Sequence, residues 1–106
     1  MELLTIEKID VDCNGLKTVF EENRKAEKVT MGTVVIPPNQ RVPLKGLSNH
    51  MEHEYSFIIR GSVLVESGGK SHRVTAGQAT YIPSGEEHWA INDSPDECEI
   101  IYVLVK

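Results

Sequence analysis

The sequence predicts an all-β fold, a small antiparallel sandwich or barrel, on three observations. Apolar and β-branched runs of strand length recur along the chain, clusters of Gly, Pro, Asn and Asp separate them, and no segment sustains a helical period. Together they predict eight strands, over 15–21, 29–36, 54–60, 62–67, 70–75, 79–83, 88–92 and 97–105. The first two flank the polar segment 21–28, in which acidic and basic side chains crowd together, and this segment reads as a solvated loop. Pro37, Pro38 and Pro43 lack the ladder donor, so the chain around them is a loop or a sheet edge. Ser67-Gly68-Gly69-Lys70 reads as a hairpin turn, because consecutive glycines supply the positive φ angles that tight hairpins need. It is not a phosphate loop, since the spacing is wrong and no helix follows.

At 106 residues the chain supports one domain, over 1–106, with one core. A 40% hydrophobic and 25% charged composition is that of an ordinary globular protein, and the net charge of −5 disfavours nucleic acid. The apolar runs are too short to span a bilayer, and the acidic start, Met1 to Glu7, carries no secretory pattern. The expectation is a cytoplasmic protein with no membrane or nucleic-acid partner. Cys13 and Cys98 lie nearly a chain length apart. Cys98 alternates with Ile100 and Tyr102 and reads as a small apolar core residue.

Side chains alternate across a strand, so His88, Ala90 and Asn92 share one face, while Trp89 and Ile91 take the other. The same parity puts His50, Glu54, Ser56 and Ile58 together if that segment is extended throughout, with His53, Tyr55, Phe57 and Ile59 opposite. His50 and Glu54 can therefore share a site. Two imidazoles and a carboxylate on a rigid wall leave coordination positions open and suit divalent Fe, Mn, Ni or Zn. His53 reads as outward, His72 as solvated, and Asn92 as holding a turn. Tyr55, Phe57, Trp89 and Tyr102 read as packing residues, and Tyr81 and Ile82 as core.

Two spacing patterns complete the reading. One runs Gly77, Pro83, Ser84, Gly85, His88, Asn92, and the other His50, Glu54, Gly61. Together, over 48–92, they resemble the two motifs of the cupin family. The resemblance implies a small double-stranded β-helix, the jelly-roll cupin barrel. It also implies that His50, Glu54 and His88 hold one divalent transition metal. The match departs at two places: Ser48 stands where the family's first histidine falls, and Val42 where its first glycine falls. Ser48, Lys45 or a water could occupy the missing ligand place. The resemblance further implies a small-molecule ligand, expected to be polar or carboxylate-bearing, and an oxygenase, isomerase or lyase reaction. The alternatives are a non-catalytic small-molecule-binding or regulatory module and a metal-free barrel kept for association. Glu52, Glu86 and Glu87 are the nearest additional acid–base groups. A homodimer is expected by resemblance and from outward apolar residues Phe57, Ile59, Val103 and Val105.

Overall fold

The computed structural model describes residues 9–24 and 27–106, the side chains of 19–24 and 27 excepted. The chain is all-β: β1 Leu16–Arg24, β2 Glu27–Ile36, β3 Arg41–Val42, β4 His53–Arg60, β5 Ser62–Ser67, β6 Lys70–Thr75, β7 Ala79–Ile82, β8 His88–Ile91 and β9 Cys98–Val105. They form a five-stranded sheet in the order β1-β2-β9-β4-β7 and a four-stranded sheet in the order β3-β8-β5-β6, with every pairing antiparallel. This is the expected jelly roll. Among the described residues no helix is long and apolar enough to cross a membrane.

One sequence expectation needs correction, and another, a loop or a sheet edge around the prolines, resolves to the edge. Among its described residues the segment 21–28 is strand rather than loop: β1 runs through Arg24 and β2 starts at Glu27, with Arg24 opposite Glu27. Charge hid these strands because ladder pairing is a backbone interaction that requires no apolar period in the sequence. The proline-rich segment holds a two-residue strand, β3, which pairs with β8 at the edge of its sheet, where a missing proline donor costs no ladder bond. The expectations for Met1 to Glu7 lie outside the described residues.

Alternation builds the core. Val34 and Ile36 of β2, Ile58 of β4, Val63 of β5, Val74 of β6 and Ile100 of β9 all turn inward and are at most 9% exposed. Each fully buried aliphatic side chain contributes roughly 1.5–3 kcal/mol. Cys98 is fully buried among them, as its alternation predicted, and burial pushes its thiol pKa up, which keeps it neutral. At the β5–β6 hairpin, Gly68 and Gly69 both take positive φ, 59° and 79°.

Asn92 closes the end of β8. Its amide donates to the carbonyls of Ile36 (2.8 Å) and Asp96 (2.7 Å), and its carbonyl oxygen accepts from the Ser94 amide (3.0 Å) and hydroxyl (2.7 Å). A fully buried asparagine with these partners is a structural staple between the turn and β2.

Asp93, next to it, forms a two-pronged pair with Arg73 of β6, at 2.9 and 2.6 Å. That hydrogen bond holds the Asp93 carboxyl below its ordinary range. A group lowered on folding contributes stability above its unfolded pKa and loses it as pH falls through its folded one. Asp93→Asn is therefore expected to lower the melting temperature slightly at pH 7, as exposed pairs do. The gap to the parent should close as the solution is acidified, read by thermal melts at stepped pH.

Candidate metal centre

The site joins the two sheets. His88 opens β8 in the smaller sheet, and Glu54 lies on β4 in the larger one. His50 precedes β4 in an irregular segment, so the strand parity that placed it beside Glu54 does not apply. It reaches the same place because the segment is latched to the turn before β8. Ser48 and His88 exchange backbone bonds (2.8 and 3.0 Å), the Gly85 amide donates to the His50 carbonyl (2.9 Å), and the Ser84 hydroxyl donates to the Met51 carbonyl (2.6 Å). Gly85 sits in this turn at a φ of 80°, which a side chain would strain.

The donor atoms of His50, Glu54 and His88 lie within 4.8 Å of one another. His50 Nε2 is 3.7 Å from Glu54 Oε1, too far for a hydrogen bond, and the two imidazoles meet edge to face with centroids 5.1 Å apart. Each histidine has its other nitrogen occupied: His50 Nδ1 is 3.0 Å from the Glu52 carbonyl and His88 Nδ1 is 2.9 Å from the Glu86 carbonyl. A carbonyl only accepts, so Nδ1 is the protonated nitrogen of each ring's neutral tautomer, which leaves Nε2 as the atom each imidazole can offer to a metal. Two imidazoles held by backbone carbonyls and a carboxylate, with donor atoms this close, fit a divalent transition metal.

These side chains line a cavity of about 220 Å³ between the sheets. Ser48 lines it, in the place of the family's first histidine, whereas Lys45 does not and is exposed. The wall is mostly aliphatic, with Ile58, Val63, Val65 and Ile82 among its members, and the hydroxyls of Ser48, Ser56, Thr80 and Tyr102 add its neutral polar groups.

Sequence reasoning missed Tyr102, which is a cavity wall rather than only a packing residue. Its phenol bonds the Thr18 side chain, and burial raises its pKa against that bond, so it is neutral. The ring fits only because residue 32 has no side chain: a Cβ on Gly32 would overlap the Tyr102 phenol and the Lys17 carbonyl. A lone glycine inside the run 29–36 was the signal available. Ser84, the latch on the His50 segment, belonged to the motif but had no role assigned.

The structure places the other residues elsewhere. His53 is exposed, with Nδ1 2.8 Å from the Tyr81 hydroxyl. His72 is exposed on β6. Glu86 accepts a bond from the Ser67 hydroxyl, Glu87 is exposed, and Glu52 lies beside His50 Nδ1 at 3.8 Å; none of the three lines the cavity. Trp89 lies under the Arg41 guanidinium, 5.0 Å from its ring. Tyr55, read as packing, and Tyr81, read as core, are corrected to exposed positions, both 50% accessible, on the outer face of the larger sheet, where they flank Phe57, which is outward as expected and 46% accessible. Alternation put them there, opposite Glu54, Ser56 and Ile82.

A family model for the cupin domain matches residues 32–104. The chain belongs to the cupin family. Solved structures with the same fold include the polyketide cyclase RemF from Streptomyces resistomycificus, with a TM-score of 0.79 and 17% identity over 98% of this chain and 78% of that one. An RmlC-like cupin from Shewanella frigidimarina gives 0.75 and 18% over 99% and 90%. A predicted oxalate decarboxylase from Thermotoga maritima gives 0.69 and 20% over 97% of each chain. At these identities the likeness is one of fold. A search of curated protein sequences finds no match.

Proposed function

We propose that this cupin binds one divalent transition metal, Fe, Mn, Ni or Zn, through His50, Glu54 and His88, and uses it to hold a small molecule in the cavity between the sheets. The observation that carries this reading is the convergence of the His50, Glu54 and His88 donor atoms within 4.8 Å, with each histidine held through its Nδ1 by a backbone carbonyl. His50 and His88 contribute neutral nitrogen donors, and Glu54 supplies the one negative charge. Three protein donors leave room for ligand oxygens, with Ser48 beside them. The mostly aliphatic wall offers apolar contact to whatever binds there. A metal held here supplies a Lewis acid for a carbonyl or enolate, or a centre for dioxygen, which covers isomerase, lyase and oxygenase chemistry. The polyketide cyclase and the oxalate decarboxylase bear such different names on one fold that the fold does not select a reaction. The non-catalytic binding module is the second reading. It is favoured by the placement of Glu52, Glu86 and Glu87 outside the cavity, where none can serve as a base for a bound ligand.

Elemental analysis of protein purified without a tag or chelator tests the proposal. About one transition metal per chain, lost in a His50→Ala, His88→Ala double variant, is the expected result. Protein that holds no metal and takes up none when it is added would overturn it.

The same reading includes a homodimer and one domain over 1–106. Support for the dimer comes from the stripe Tyr55, Phe57, Ile59 and Tyr81 on the outer face of the larger sheet, with exposures of 50, 46, 42 and 50%. Contiguous aromatic exposure of this kind marks an association surface. Phe57→Glu should convert a particle of twice 11.8 kDa into one of 11.8 kDa in sedimentation. A parent already at the lower mass would refute the dimer. A cytoplasmic setting is supported by the two free cysteines, one exposed and one buried.

A further inference from the structure

We infer that the ligand of this site is a singly charged O,O-chelate with an apolar body, such as the anion of an enolisable diketone or a hydroxyketone, and not a small polyanion. The inference rests on the metal-site reading above and replaces the expectation of a polar or carboxylate-bearing ligand.

Charge balance is the first argument. A divalent ion held by two neutral imidazoles and the Glu54 carboxylate retains one positive charge. One ligand anion brings the site to neutrality, whereas a dicarboxylate leaves a net negative charge against a mostly apolar wall, where uncompensated charge is disfavoured. The wall does nothing to offset that. Among the described residues no lysine or arginine lines the cavity: Arg41 lies over Trp89, Arg60 pairs with Glu97 and Glu99, and Arg73 pairs with Asp93, all away from it.

The lining is the second argument. Beyond the donor atoms, the ligand body meets Ile58, Val63, Val65, Ile82 and Leu104, so each apolar group it carries gains by leaving water. The remaining polar groups are hydroxyls of Ser48, Ser56, Thr80 and Tyr102, which can bond a neutral oxygen but cannot balance a carboxylate. The volume of about 220 Å³ sits below the roughly 300–1,000 Å³ of drug-sized ligand sites, which limits the body to a single small ring or short branched chain.

Tropolone and oxalate make a matched test, because both close a five-membered chelate ring through two oxygens. Only tropolone is a monoanion with an apolar ring. Each is titrated into the Co(II)-loaded protein by calorimetry and by the visible spectrum of the ion, and its affinity is divided by its affinity for aqueous Co(II). The expected result is a normalised preference for tropolone of about tenfold or more. Equal binding, or a preference for oxalate, overturns the inference.

Failure of the metal site is read separately, as protein that takes up no Co(II). In that case methyl NMR of the metal-free protein decides the cavity claim. Shifts at Val63, Val65 and Ile58 with tropolone and none with oxalate support an apolar-bodied ligand. Shifts with oxalate, or with neither probe, overturn it.

Discussion

Replacing His88 with alanine is expected to abolish metal binding, lowering affinity by roughly 100-fold or more, while the strands persist. His88 is 8% exposed and sits at the junction of the sheets, with its backbone paired to Ser48. The backbone pairing does not depend on the side chain, so the variant should keep the circular dichroism of the parent. What it loses is one of the two imidazole donors that converge with Glu54, and an ion left with one imidazole and one carboxylate binds far less tightly. Thermal melts report this directly. Metal at 100 times its dissociation constant stabilises the parent by about 2.7 kcal/mol, and for a domain of this size each kcal/mol raises Tm by roughly 4–8 °C. The parent's melt should move upward on adding metal and the variant's should not. An equal rise in both would remove His88 from the ligand set.

Gly61→Ala is expected to cause a large loss of stability for the addition of a single methyl group. Gly61 links β4 to β5 at a φ of 81°, and a Cβ there would sit 2.4 Å from the Glu97 carbonyl oxygen and 2.9 Å from the Cα of Cys98. Both obstacles are backbone, which cannot rotate aside. Left-handed strain and overpacking each cost about 1–3 kcal/mol, so a combined loss of roughly 2–6 kcal/mol follows. Chemical denaturation would show it as a lower midpoint with an unchanged slope. A loss under about 0.5 kcal/mol, the range of ordinary surface changes, would mean that this crossing is looser than these distances require.

The sequence was most legible where periodicity and turn chemistry act alone. Strands β4 to β9 lie close to where alternation and the glycine turns put them, and the Gly68–Gly69 hairpin followed from backbone freedom. Legibility failed where tertiary contact decides. The pairing of Asn23 with Lys28 and of Arg24 with Glu27 shows no apolar pattern in the sequence, because the backbone ladder makes it. The approach of His50 to His88 depends on Ser84 and Gly85 capturing the segment 48–51, a contact between motifs that spacing within either motif does not contain. The apolar cavity wall draws on both sheets, so no single strand displays it. Tyr102 is the clearest case: its place is set by the missing side chain at Gly32 on a neighbouring strand, and the sequence separates the two by most of the chain.

The ligand set is the central claim, and X-ray absorption spectroscopy of the metal-loaded protein tests it most directly. Two histidines and one glutamate predict a first shell of nitrogen and oxygen only, with outer-shell scattering from two imidazole rings, reduced to one ring in His50→Ala. A sulfur donor in the shell, or no imidazole scattering, would place the metal away from His50, Glu54 and His88 and contradict the account.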